Sequence, residues 1–163
     1  MLAIAGASKI MAPGAMRGSA ALVGVRVPRG VVRALGCCEL ALAALAAIWP
    51  TRVTSGLVAV AYGAFCVFVL LLLRSAARPV DCGCFGGAGD AVGRLHVALN
   101  ALACAVAAAG AVFGVHGIGW ILGRSALVAP AFIIGALAAT YAAYAAYTLV
   151  PRAWGSYGSG AAR

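Results

Sequence analysis

A chain of 163 residues that is 65% hydrophobic and only 9% charged, with a mean hydropathy of +1.07, lacks the polar surface that a soluble domain of this size must turn to water. Lipid tolerates that lack, and the length leaves room for one domain only. The net charge of +9 comes from twelve Lys and Arg against Glu39, Asp81 and Asp90; the charges punctuate the ends of apolar runs, which argues against a nucleic-acid surface and for helix ends at an anionic bilayer face.

In chain order, residues 2–12 are apolar apart from Ser8 and Lys9 but fall short of the roughly 20 residues a span requires. They lack the charged start and small-residue cleavage site of a signal peptide, and read better as the second half of a spanning helix whose start is missing. Pro13 and Gly14 break that helix. Residues 15–29 carry Arg17, Arg26 and Arg29 among Met16, Leu22, Val23, Val25 and Val27, a mixture suited to an interfacial segment. Residues 31–49 form the next span, with Arg33 near its start and Glu39 inside, and residues 53–73 follow without a single charge. After a polar loop over residues 74–94, an Ala-rich span covers residues 95–115, and a last one covers residues 125–150. Within that last span Tyr141, Tyr144 and Tyr147 recur on one face of the final turns, where an aromatic belt is expected. The Gly/Ser-rich tail after Pro151 reads as disordered.

The expected fold is therefore all-α, a polytopic bundle of four to five transmembrane helices, multi-pass in the cell membrane. Ala41, Ala43, Ala44, Ala46 and Ala47 in one helix, and Ala103, Ala105 and Ala107 to Gly110 in another, let backbones approach closely in lipid. A tight bundle follows from them.

The short turn at residues 50–52 makes a hairpin of the spans at 31–49 and 53–73. The start of the first, the end of the second, the start of the span at 95–115, the loop at 74–94 and the segment at 13–30 then share one membrane side. Chemically capable residues collect there. Cys82-Gly83-Cys84 lies in the loop, while Cys37 and Cys38 lie about 10 Å below the interface at 1.5 Å per residue, with Glu39 next to them. His96, Asn100 and Cys104 are spaced four apart and so line one helix face. Cys66 and Cys104 read as small buried hydrophobes. Vicinal Cys37 and Cys38 point about 100° apart and cannot easily bridge each other, though each could meet a loop thiol.

A disulfide between Cys82 and Cys84 would close a small strained ring, which makes it readily exchanged. Asp81 would raise a neighbouring thiol's pKa, and Arg74, Arg78 and Arg94 would lower it. The inert alternative is a purely structural pair. Two thiolates plus His96 make at most three metal ligands with no second cysteine pair, so no metal is assigned. Glu39, ionisable within a span, needs a partner: an unpaired charge there costs at least ~2.5 kcal/mol. Lys9, Arg33 or a loop-side polar residue could supply it.

Three elements carry a resemblance. Gly6-Ala7-Ser8-Lys9-Ile10-Met11-Ala12-Pro13 is similar to the Gly-x-x-Lys-Leu-x-x-Pro that closes the first helix of the MauE family, membrane proteins named for methylamine utilisation and more loosely related to DoxX-type proteins. Glu39 within Cys38-Glu39-Leu40-Ala41-Leu42 matches a Glu of that family's second helix, and Cys82-Gly83-Cys84-Phe85-Gly86 is the most specific of the three. The resemblance implies a MauE-like bundle over residues 1–115, with an additional helix within 116–150 and the tail at 151–163. It also implies a role in maturing redox proteins: family members act with a thioredoxin-like partner and are thought to help form disulfides in methylamine dehydrogenase. On that reading Cys82, Cys84, Cys37, Cys38 and Glu39 form the reactive set. The partners are a thioredoxin-like or other redox protein and the lipid bilayer, and a quinone is the candidate cofactor, with His96 and Asn100 as candidate lining of its pocket.

The competing readings are a non-catalytic subunit that assembles or anchors a redox partner, and a small transporter using Glu39, which is weakened by the shortage of other buried polar groups and broken helices. Charge favours a cytoplasmic loop: Lys9, Arg17, Arg26, Arg29, Arg33, Arg74, Arg78, Arg94, Arg152 and Arg163 would stand on the loop side against Arg52 and Arg124 on the other. Disulfide formation would instead place the loop in an oxidising compartment.

Overall fold

The computed structural model describes residues 1–75, 93–123 and 128–148. Every regular element among them is a helix: α1 Leu2–Met11, α2 Pro13–Leu22, α3 Arg29–Ile48, α4 Arg52–Ser75, α5 Arg94–Phe113, α6 Ile118–Leu122 and α7 Val128–Thr148. Helices α3, α4, α5 and, over Val128–Ala146, α7 are long and apolar enough to cross a membrane. The protein is an all-α, multi-pass membrane bundle.

Its burial pattern suits lipid. Large apolar side chains such as Leu45, Val60, Leu102 and Ile134 face outward, whereas Lys9, Ser19, Glu39, Ser55, His96 and Asn100 are buried between helices. The helix ends follow local chemistry. Ala12 leaves helical geometry ahead of Pro13, which opens α2 as its first residue, so the break expected there separates two short helices. Residues 13–22 are thus helical within a segment read only as interfacial from the sequence. Thr51 caps α4: its hydroxyl accepts from the Thr54 N–H at 3.1 Å, and the Thr54 hydroxyl accepts from the Thr51 N–H at 2.7 Å.

Two antiparallel pairs make up the bundle. In the first, the buried residues Leu2, Ala5, Gly6 and Lys9 of α1 lie on one stripe at helical spacing, facing Val32, Gly36 and Glu39 of α3. In the second, α4 packs along α5, with Gly110 beside Ser55, Cys104 beside Ala59 and Gly63, and Cys66 beside Val97. Val69 and Leu72, at the α4 end nearest the 74–94 loop, form a buried apolar cluster with Val23, Phe68 and Val97. That cluster ties the segment after α2 to both helices of the second pair. Helix α7 is apolar all round, is exposed along most of its length and meets the rest mainly through the short α6, an element the sequence did not suggest.

Candidate functional site

The closest helix contact sets up the site. A Cβ at Gly6 would lie 2.7 Å from the Gly36 carbonyl oxygen, and one at Gly36 would lie 2.6 Å from the Gly6 carbonyl oxygen. Only glycine fits on both sides, so the backbones touch. The antiparallel register sets Gly6 opposite Glu39 and Gly36 opposite Lys9: a Cβ at Gly6 would lie 3.2 Å from Glu39 Cβ and one at Gly36 3.0 Å from Lys9 Cβ, so the two charged side chains flank the contact and reach each other across it. Lys9 Nζ donates to Glu39 Oε2 at 2.8 Å, with Lys9 fully buried and Glu39 4% exposed. Lys9 Nζ also lies 4.8 Å from the centroid of the Phe65 ring on α4, a cation–π distance, and Tyr62 packs edge-on against Phe65 with centroids 5.9 Å apart.

The pairing expected for Glu39 is thus present, with Lys9 as the partner. Glu39 is ten residues into α3, about 15 Å from the helix start and near the middle of the span. At that depth a charge is tolerated only when matched, and the ring face of Phe65 adds a second partner for the ammonium. The second carboxylate oxygen, Oε1, is buried and has no hydrogen-bond partner among the described residues. Glu39 is consequently the member of the pair able to accept a further hydrogen bond or proton. Phe65 and Tyr62 were not picked out in the sequence. The pattern that marks the contact is the repeated Gly-x-x-Lys and Gly-x-x-Glu, Gly6 to Lys9 and Gly36 to Glu39.

The cysteines divide. Cys37 and Cys38 are exposed on the outer face of α3, because Gly36 and Glu39 fix the inward face and residues between them rotate away from it. Cys66 and Cys104 lie half-buried in the α4–α5 seam, where the Cys104 thiol donates to the Ala59 carbonyl at 3.2 Å and the Cys66 thiol reaches the Val97 carbonyl at 3.8 Å. All four are free thiols, and the two in the seam pack as small hydrophobes with a weak donor. Cys82 and Cys84 lie outside the described residues, and so does the expected approach of Cys37 or Cys38 to them.

His96 and Asn100 are both buried, on the α5 face shared with Cys104. The Gly93 N–H donates to His96 Nδ1 at 3.4 Å at the start of that helix. A groove of about 540 Å³ between α4, α5 and α7 is lined by Val58, Leu102, Val106 and other apolar side chains, with Tyr62 and Thr140 as its polar groups; His96 and Asn100 are not part of it. A ligand held there would meet mainly hydrocarbon-compatible wall.

Compared with known families, residues 1–113 match the family model described as methylamine utilisation protein MauE. The matched residues include α1 to α5, the Lys9–Glu39 pair and the Cys82-Gly83-Cys84 segment. No curated protein and no solved structure matches the chain.

Proposed function

We propose, from the premise that this chain belongs to the MauE family, that it is a membrane thiol–disulfide maturation protein working through Cys82 and Cys84. The observation that carries this reading is the topology around them. Ser75 ends α4 and Gly93 precedes α5, and the two helices are zipped together at Cys66–Val97 and Cys104–Ala59. The described ends of the segment bearing both cysteines, Ser75 and Gly93, therefore stand on one membrane side, as an exchange centre for a soluble redox protein requires. Cys66 and Cys104 are engaged in packing, while Cys37 and Cys38, free on the outer face of α3, stay candidates for exchange with the loop pair.

In the proposed cycle a substrate thiolate attacks the Cys82–Cys84 disulfide, the sulfur–sulfur bond breaks and a mixed disulfide forms. A second substrate thiolate then displaces the loop sulfur. The substrate has lost two electrons and two protons, and Cys82 and Cys84 hold them as thiols. Reoxidation returns them to a two-electron acceptor, either a disulfide of a thioredoxin-like partner or a membrane quinone that becomes quinol. The Lys9–Glu39 pair serves this chemistry as the fixed point of the scaffold.

Cys82→Ser and Cys84→Ser tests this reading. Each should abolish maturation of the substrate while leaving insertion intact, because neither residue belongs to an apolar span. In reoxidation by a thioredoxin-like partner one loop thiolate attacks the partner's disulfide and the other loop thiol resolves the mixed disulfide, so serine at the resolving position should trap a covalent complex with that partner, seen as a reducible band on a non-reducing gel, whereas Cys66→Ser should trap nothing. If both loop variants retain full activity and capture no partner, the protein is an assembly or anchoring subunit instead.

A further inference from the structure

The cleft between α2 and the segment leading into α3 has no part in thiol exchange. Its shape begins at the end of α2. The Val25 N–H donates to the Ala20 carbonyl at 3.0 Å and the Gly24 N–H to the Ala21 carbonyl at 3.1 Å, with Gly24 at φ +82. This is the paired closure of a helix end that needs glycine in the left-handed region. It turns the chain back over α2, and Val23 locks the turn against Val69 and Leu72. The returning strand brings the Val27 carbonyl over Arg17, whose Nε donates to it at 2.9 Å. That bond fixes the guanidinium plane by one of its five N–H groups and leaves its outer edge for a ligand.

Arg26 stands across from Arg17, and together with Ala21, Val27 and Pro28 the two arginines line a cleft of about 430 Å³. Among the described residues the only ion pair is Lys9–Glu39, and within that set neither arginine is matched by a carboxylate. Pro28 is also the N-cap of α3 and makes no side-chain cap bond, so the positive end of a 20-residue helix adds to the field beside the cleft. Leu22 and Val25, about half exposed, flank it with apolar surface. Pro28 lines the cleft immediately before Arg29, where the α3 span begins, which places the cleft at headgroup depth.

We propose that this cleft binds the phosphate of an anionic glycerophospholipid headgroup, Arg17 and Arg26 clamping the phosphate while Leu22 and Val25 lie along the acyl chains. The shared chemistry is a phosphate anion between two guanidinium groups, and the flanking apolar residues select the lipid over free phosphate.

The test uses the full chain purified in a neutral detergent. Thermal unfolding would be followed by tryptophan fluorescence on titration with short-chain phosphatidylglycerol, short-chain phosphatidylcholine or inorganic phosphate. Bound lipids would be counted in parallel by native mass spectrometry. Phosphatidylglycerol should raise the melting temperature saturably, with one lipid retained per chain, and phosphatidylcholine should not. Arg17→Gln/Arg26→Gln should weaken that binding about thirtyfold, from about fivefold for each cation lost near the surface, whereas Arg52→Gln at the opposite membrane side should leave it unchanged. If the double variant does not fold, retention of phosphatidylglycerol over phosphatidylcholine by the wild type decides the matter. Equal stabilisation by both lipids, undiminished binding by the double variant, or a full effect from inorganic phosphate alone would each overturn the proposal.

Discussion

The two antiparallel helix pairs hold together by opposite means. In α1–α3 the backbones touch at Gly6 and Gly36, and a buried ion pair closes the seam within one turn. In α4–α5 the helices approach through small and polarisable side chains: a Cβ at Gly63 would sit 3.7 Å from Cys104 Sγ, and thiols reach opposing carbonyls at 3.2 and 3.8 Å. The first seam fixes a single register, because sliding α1 by one residue would part Lys9 from Glu39 and drive side chains into backbone. The second is a zipper of weak contacts spread over many turns. The first seam concentrates its hold in one close contact, whereas the second spreads it along the 24 residues of α4.

The sharpest way to break this contrast is to remove one charge. Glu39→Ala would leave the Lys9 ammonium buried at mid-span with only the Phe65 face beside it, a loss of about 3–5 kcal/mol by the measure of broken buried pairs. Lys9→Ala should behave alike. The double variant Lys9→Met/Glu39→Leu should recover most of the loss, because two apolar side chains of similar volume suit the same space. Thermal unfolding in detergent measures all three. A double variant as unstable as the singles would show that the pair is not what holds α1 to α3.

Next in size is Gly36→Ala. Its Cβ would come 2.6 Å from the Gly6 carbonyl oxygen, and backbone cannot swing aside as a side chain can. The helices would have to separate, stretching the Lys9–Glu39 contact as well, for about 2–3 kcal/mol at the upper end of overpacking costs. Wild-type stability in Gly36→Ala would mean that α1 can slide or tilt, and the claim of a single register would fall.

How much of this was legible in the sequence follows from the same contrast. The apolar run at 53–73 became α4, Arg52–Ser75, because length and composition alone decide a span. The partner of Glu39 was legible because an isolated charge in lipid demands one. Orientation was harder. Depth alone placed Cys37 and Cys38 with the other reactive groups, but which way they face is set by Gly36 and Glu39, which occupy the inward side. Helix α2 was obscured by Gly14 and Gly18, weak helix formers held helical here by burial of Pro13, Ser19 and Ala20. Phe65 and Tyr62 carry no pattern that separates them from lipid-facing aromatics, and only the arrival of Lys9 gives them a role.

In the second seam the effects should be small. Cys104→Ala removes one weak hydrogen bond and one polarisable contact, worth about 1 kcal/mol, and Cys66→Ala less, since its thiol stands farther from its carbonyl. A paired measurement of the two variants checks the order, and a greater loss in Cys66→Ala would show that distance to the carbonyl is not what matters.

Smallest of all should be Gly63→Ala, the counterpart of Gly36→Ala. The added methyl would meet Cys104 Sγ at 3.7 Å, an ordinary contact with a side chain that can shift. Against that contact stands the gain from replacing glycine within a helix, up to about 1 kcal/mol where propensity acts unopposed. Gly63→Ala should therefore be neutral or slightly stabilising in the same unfolding assay in which Gly36→Ala fails. The two substitutions add the same atom to helices of the same bundle, and what differs is the opposing atom and its distance: a carbonyl oxygen at 2.6 Å in one, a thiol sulfur at 3.7 Å in the other. A loss above about 1 kcal/mol in Gly63→Ala would place the α4 and α5 backbones in the same close contact as α1 and α3, and the distinction between a register-fixing seam and a tolerant one would be gone.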